Sequence, residues 1–202
     1  LARVTRRRSI SFRSTFLLLA LLAGCRATGP SEGAAQPSEP CAQVRCATLP
    51  GALGLVAIHC WFLSWDAEEG RWHRWEVWQD ADAGGESWGH VHKDLLPPDA
   101  GVGGGVYEVL HEWTGEEATR LTAALAASPE YPERDRYSAW PGPNSNTYIA
   151  WLLRRAGLRL DLPPSAVGKE WLGTFGAAES TTRTGLQAGT PLIGLKVGLL
   201  DG

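Results

Sequence analysis

The sequence predicts an α+β fold, an antiparallel sheet flanked by helices. Three observations carry that prediction. Strand patterns dominate from residue 53 to residue 112, and two helical patterns follow from residue 114 onward. The composition, 44% apolar and 20% charged over 202 residues, is that of one globular domain and not of a disordered chain. The domain is expected to span residues 51–202.

The run Leu53-Gly-Leu-Val-Ala-Ile-His-Cys-Trp-Phe-Leu-Ser-Trp65 reads as a central strand, because it is apolar and rich in β-branched and aromatic residues. Asp66-Ala-Glu-Glu-Gly70 then leads into Arg71 to Gln79, which carries Trp72, Trp75, Val77 and Trp78, so a hairpin is expected. A turn centred between Glu68 and Glu69 sets Trp61 opposite Glu76 and His59 opposite Trp78. Alternation then gathers His59, Trp61, Glu76 and Trp78 on one side of the sheet, and a slip of one residue turns Glu76 away. Shorter strands are expected at Ser87 to Lys93 and at Val106 to Glu112, separated by the Pro/Gly-rich stretch 97–105. Seven of the ten tryptophans lie between Trp61 and Trp113, where packing the core of a small sheet is their expected use.

The change to helix comes at Thr114-Gly-Glu-Glu117, a threonine followed three positions later by glutamate in the form of a capping box. Ala118, Leu121 and Leu125 then share a face, and the helix is expected to end near Ser128-Pro129. A second helix begins within Trp140-Pro141-Gly142-Pro143-Asn144-Ser145-Asn146-Thr147-Tyr148. Asn144 is a good N-cap, Ile149, Leu152, Leu153 and Ala156 recur at helical spacing, and Gly157 supplies the stop. Ser145 therefore occupies about the first helical position, where unpaired amide N–H groups and a partial positive charge favour an anion or a developing oxyanion. Past Gly157, Leu160 to Trp171 reads as a Pro-marked bend into a short helix, followed by a Gly/Thr-rich tail.

The first 24 residues have a different character. Arg3, Arg6, Arg7, Arg8 and Arg13 precede the short apolar stretch Phe16 to Ala23 with no acidic residue among them, the pattern of a secretory signal. The stretch ends in Leu22-Ala23-Gly24-Cys25, which resembles the bacterial lipobox, and this implies that Cys25 receives diacylglycerol and anchors the chain to a membrane. Removing those five arginines from the 19 basic residues leaves 14 against 22 acidic ones, a net charge of −8. Such a chain repels phosphate backbones, so nucleic acid is excluded as an expected partner. Residues 26–40 are small, polar and Pro-rich, and the span 25–50 is expected to be a lipidated cysteine and a flexible tether. The expected location is the cell envelope, on the periplasmic face of a membrane. An exported chain meets oxidising conditions, so Cys41 could pair with Cys46 and leave Cys60 free, or Cys46 could pair with Cys60.

Among titratable residues His59 stands out, since it interrupts an apolar strand. An activated nucleophile needs a base within hydrogen-bond reach and a third group to orient that base, and Ser145, His59 and Glu76 offer these three roles. His90 and His92 lie two apart without a matching carboxylate or cysteine cluster, and neither a metal nor a cofactor is called for. Cys60 adjoins His59 on the same strand and points to the other face, so it reads as structural.

The stretch Trp140 to Tyr148 closely resembles the signature of a bacterial domain family of unknown function, which usually has Phe at the last position. Gly115-Glu-Glu-Ala118, Tyr131-Pro132 and Leu160-Asp-Leu-Pro-Pro-Ser-Ala-Val-Gly-Lys169 extend the resemblance from about residue 53 onward. It implies that the family continues past Val197-Gly-Leu-Leu-Asp-Gly202, so the domain is expected to be truncated at its C-terminus. A weaker resemblance runs to circularly permuted papain-like hydrolases of the NlpC and LRAT type. In these an early-strand histidine precedes a helix whose Asn-Cys-Asn type entrance carries the nucleophile. It implies a permuted papain-like arrangement with His59 as the histidine and Ser145 in place of the cysteine, although a serine hydroxyl is harder to deprotonate than a thiol. The functional expectation is an envelope lipoprotein that hydrolyses amide or ester bonds. The alternative is a non-catalytic lipoprotein that binds or scaffolds an envelope component.

Overall fold

The sheet starts earlier in the chain than the apolar run at Leu53. A computed structural model describes residues 36–173, 175–180, 184–189 and 194–198. Cys25, the signal pattern before it and the first part of the Pro-rich stretch lie outside these residues. The elements are β1 (Cys41–Thr48), β2 (Ile58–Asp66), β3 (Arg71–Val77), β4 (Glu86–Trp88), β5 (Val91–Lys93), β6 (Tyr107–Thr114), α1 (Gly115–Ala126) and α2 (Ser145–Ala156). After them come β7 (Gly176–Glu179), β8 (Gly185–Gly189) and β9 (Gly194–Gly198). The first six strands form one antiparallel sheet in the order β4-β5-β3-β2-β1-β6, and the last three form a small antiparallel sheet in chain order. The chain thus adopts the expected α+β class.

β1 corrects the expected tether of residues 25–50, because residues 41–48 are a central strand paired with β2 on one side and β6 on the other. Ala42, Val44 and Cys46 enter the core beneath the helices, while Arg45 lies on the opposite face. There its guanidinium sits 4.5 Å from the Tyr107 ring centroid and pairs with Asp99 at 3.0 Å. A strand with Gln and Arg on one face lacks the continuous apolar run that marks β2, and the preceding prolines obscured it further.

The two faces of the six-stranded sheet have different partners. α1 and α2 cover Val44, Cys60, Phe62, Val77 and Trp113 with Leu121, Leu125, Tyr148, Ile149, Leu152 and Leu153, all buried. Each such fully buried Leu, Ile or Phe side chain contributes about 1.5–3 kcal/mol relative to exposure. The other face packs Ala47, Trp61, Leu63 and Val102 against Trp72, Trp78 and Tyr107. The β2–β3 hairpin has the register expected of a turn between Glu68 and Glu69, with Phe62 opposite Trp75 and Ser64 opposite His73.

Other boundaries shift for local reasons. Gly51–Leu55 forms a short 3-10 helix, so β2 begins at Ile58 and not at Leu53. The strand expected over 87–93 is two strands, broken at Gly89, whose φ of 64° and close approach to Arg134 O leave no room for a Cβ. The short helix expected within 160–171 is instead a series of turns, since Pro163 and Pro164 supply no backbone donor and Lys169 folds back to donate from Nζ to Leu162 O. The Gly/Thr-rich tail contributes β7, β8 and β9, strands in which glycines face glycines and apolar alternation is absent.

The disulfide joins Cys46 and Cys60, which face each other directly across β1 and β2 with Cα atoms 4.1 Å apart. Cys41 and Cys46 sit five residues apart on one extended strand, a span of about 16 Å that no disulfide bridges. Cys41 is a buried thiol whose pKa is pushed up to about 11, first by burial and then by Glu112. The Cys46–Cys60 bridge closes a loop with a sequence separation of 14. Replacing both cysteines by alanine should therefore lower the unfolding free energy by about 2–4 kcal/mol in a urea titration. A variant as stable as the wild type contradicts the assignment.

Candidate functional site

β3 ends before it reaches the first residues of β2, and this leaves the main chain of Ile58 without a strand partner on that side. Two later segments take its place. Ile58 donates its N–H to Ser165 O at 3.0 Å, and its carbonyl accepts from Asn146 Nδ2 at 2.9 Å. The entrance of α2 is thereby tied to the strand position immediately before His59.

The sequence around α2 builds that entrance. Asn144, extended at φ −148° and ψ −168°, accepts from the N–H groups of Asn146 at 3.0 Å and Thr147 at 3.3 Å, while its own N–H donates to Thr147 Oγ1 at 3.1 Å. This reciprocal capping box satisfies donors that a helix start otherwise leaves open. Asn144 Nδ2 donates to Ala139 O and Val167 O, Asn146 Nδ2 donates also to Val167 O, and Thr147 Oγ1 donates to Gly168 O. Gly168 has φ +94°, and any Cβ there would collide with the Asn144 amide. Gly142, at φ +134°, likewise faces Thr147 Oγ1 and the Trp171 side chain. Pro141 and Pro143 both follow cis peptide bonds, and Trp140 is exposed.

Ser145 differs from its neighbours. It is 6% exposed, and among the described residues neither its Oγ nor its N–H has a hydrogen-bond partner. The cap engages two of the amides that the helix entrance was expected to offer an oxyanion, and the Ser145 N–H is left over.

His59 and Glu76 are brought together by the hairpin register. His59 Nε2 lies 2.9 Å from Glu76 Oε2, and the ring packs edge-on against Trp78 and 5.9 Å from Trp61. Glu76 is fully buried and is held from its other side by Arg74, whose Nη2 donates to Oε2 at 2.8 Å and whose Nε pairs with Oε1 at 2.8 Å. Arg74 stacks 4.0 Å over Trp61 and donates to Pro97 O and Ala100 O. Burial works to raise the Glu76 pKa, but the His59 hydrogen bond and charge, together with Arg74, outweigh it and hold the carboxyl below its ordinary value of 4.5. No hydrogen bond joins Ser145 to His59 among the described residues. The His59 ring belongs to the sheet face that carries Trp61 and Trp78, and the apolar side of α2 packs on the other.

The remaining histidines have local partners. His90 Nδ1 lies 2.9 Å from Trp78 O, and buried His92 contacts Ser87 Oγ, Gly84 O and Asp80 O. His73, which carried no signal in the sequence, lies with Asp66 and Glu69 in a group whose ligand atoms fall within 4.8 Å of one another. Arg71 already holds Glu69 at 2.6 Å and Asp94 holds His73 Nδ1 at 2.7 Å, so the group forms an ion-pair network.

The family described as protein of unknown function (DUF3750) matches residues 39–171, and the chain belongs to it. That span opens just before β1 and takes in both the strand pair and the α2 entrance. No curated protein and no solved structure matches the chain significantly.

Because the folded Glu76 pKa lies below its ordinary value, its contribution to stability is present above pH 4.5 and is lost as the pH falls through the folded value. Glu76→Gln should lower the unfolding free energy at pH 7 by about 3–5 kcal/mol, since it leaves Arg74 buried without its anion. It should also remove that component of the acid limb in melting curves taken from pH 7 to pH 3. An acid limb identical to that of the wild type contradicts the assignment.

Proposed function

We propose that the chain is a lipid-anchored hydrolase of the bacterial cell envelope that cleaves amide or ester bonds, with Ser145 as nucleophile, His59 as general base and Glu76 as its orienting group. The observation that carries this reading is the buried His59–Glu76 pair beside a helix entrance whose only unengaged polar side chain is Ser145, among residues 144–147. Glu76 on Nε2 fixes the tautomer that carries its proton there, which frees Nδ1 to accept the Ser145 proton.

In the proposed first step Ser145 Oγ bonds to the carbonyl carbon of the substrate as its proton passes to His59 Nδ1. The Ser145 N–H then faces the developing oxyanion at the positive end of α2. Return of that proton to the leaving amine or alcohol breaks the scissile bond, and water, deprotonated by the same histidine, releases the acyl group. The transfer from Ser145 to His59 requires the α2 entrance to rearrange when substrate binds, because the His59 ring lies on the sheet face opposite the one that α2 covers.

Membrane attachment through Cys25 rests on the signal and lipobox pattern of the first 25 residues. The Cys46–Cys60 disulfide is in keeping with an oxidising compartment outside the cytoplasm. The likeness to permuted papain-like hydrolases belongs to the same proposal. A non-catalytic binding or scaffolding lipoprotein is the second reading. It is favoured by the missing Ser145–His59 hydrogen bond and by the main-chain carbonyls that Asn144, Asn146 and Thr147 all engage.

Kinetics on the full chain separate the two readings. With ester and amide substrates, Ser145→Ala and His59→Asn should each cut kcat/KM by at least about a thousandfold. The melting temperature of Ser145→Ala should stay close to that of the wild type. Turnover by Ser145→Ala equal to that of the wild type rules out the hydrolase reading and leaves the binding one.

A further inference from the structure

The β2–β3 turn brings Asp66, Glu69 and His73 together, with one ligand atom of each within 4.8 Å of the others. Asp66 closes β2, and His73 lies on β3 opposite Ser64, so alternation puts both side chains on one face of the hairpin. Glu69 reaches the same point from the turn, four residues before His73. As an ion-pair network the group leaves one atom over. His73 is 3% exposed, and its Nε2 makes no hydrogen bond, although Glu69 Oε2 stands 3.5 Å away and Asp66 Oδ2 3.7 Å away.

The charges around that atom describe a missing cation. Asp94 Oδ2 accepts from His73 Nδ1 at 2.7 Å, so a neutral ring presents its Nε2 lone pair to two carboxylate oxygens. A positive charge between them makes this arrangement favourable, and the spacing decides its kind. Two ligand atoms about 2.1 Å from a tetrahedral ion stand about 3.4 Å apart. A water bridging two groups at ordinary hydrogen-bond length holds them about 4.6 Å apart. The separations of 3.5 and 3.7 Å fit the ion and leave no room for water. Entry is through the carboxylates, because the Asp66 and Glu69 side chains are 35% and 50% exposed against 4% for His73.

We propose that Asp66, Glu69 and His73 Nε2 bind a divalent transition-metal ion of the zinc class, with water completing its coordination. The chain around them prepares each ligand. Asp66 Oδ1 accepts from the N–H groups of Glu68 at 2.8 Å and Glu69 at 2.9 Å, which fixes the carboxylate and leaves Oδ2 for the ion. Asp94, at φ 59°, accepts from the Arg74 N–H at 2.8 Å and donates its own N–H to Arg74 O at 2.7 Å. It therefore holds His73 by Nδ1 as outer carboxylates orient metal-bound histidines. An imidazole with two carboxylates suits zinc better than calcium, which takes six or more oxygens. Arg71 competes for the same anions, since it donates to Glu69 Oε2 at 2.6 Å and to Asp94 Oδ2 at 3.4 Å, but its side chain is 54% exposed and free to swing into water. The site uses none of Ser145, His59 or Glu76, and it stands whether or not the chain is a hydrolase.

Calorimetric titration of the full chain, stripped with EDTA and dialysed, with zinc, manganese and calcium chlorides tests the proposal. Zinc should bind at one ion per chain and at least about tenfold more tightly than calcium. His73→Gln should abolish that binding. Asp66→Asn and Glu69→Gln, at partly exposed positions, should each weaken it at least about tenfold and serve if His73→Gln fails to fold. Asp94→Asn should weaken it by about 10- to 100-fold, the usual cost of losing an outer carboxylate, and Arg71→Gln should tighten it. Ser145→Ala should bind zinc as the wild type does. Absence of saturable zinc binding would leave a proton on His73 as the cation and overturn the proposal. Zinc affinity that ignores both Asp66→Asn and Glu69→Gln, or calcium bound as tightly as zinc, would overturn it as well.

Discussion

The hydrogen bonds at Ile58 are the constraint on which the rest depends. β2 outruns its neighbour β3, and an exposed strand edge at that point would leave a buried N–H and C=O unsatisfied. The chain closes the gap with parts from far along the sequence, Ser165 for the donor and Asn146 for the acceptor. Once Asn146 is committed there, Asn144 must cap the helix, Thr147 must complete the box, and Gly168 must stay without a side chain where the loop crosses Asn144. The polar density of residues 144–147 is thus first a solution to a main-chain problem at the end of a strand. Ser145 is the residue that this solution does not use.

The second organising feature is charge taken into the interior. Arg74 and Glu76 are wholly buried on the same strand, and desolvation of two such ions is repaid only by close mutual contact and further hydrogen bonds. The carbonyls of Pro97 and Ala100, the Trp61 face and the His59 ring supply those contacts. An apolar pair would have filled the same space more simply. What the ion pair adds is a histidine with a fixed orientation, which is the link from packing to the proposed chemistry.

Much of this was legible in the sequence, and the reason differs by element. The β2–β3 register followed from the turn Asp66 to Gly70, because alternation excludes any slip of one residue and the turn position selects among the registers that remain. The α2 entrance was legible because capping is local, and Asn144 and Gly157 act within a few residues of themselves. β1 was not legible, since Arg45 owes its place to Tyr107 and Asp99 and Gln43 owes its place to Glu112, residues far away in the chain. β7 to β9 escaped because glycine-rich strands carry no pattern of faces. The link from Asn146 to Ile58 spans 88 residues and has no local trace.

The central claim is that Ser145 is a hydroxyl made reactive by its surroundings, and covalent labelling tests it most directly. The wild-type chain would be treated at neutral pH with a serine-reactive fluorophosphonate and the modified peptide mapped by mass spectrometry. The account predicts a single adduct on Ser145 that forms far more slowly in His59→Asn. No adduct on Ser145 in the folded chain, or one whose rate ignores His59, would contradict it and leave the α2 entrance as architecture alone.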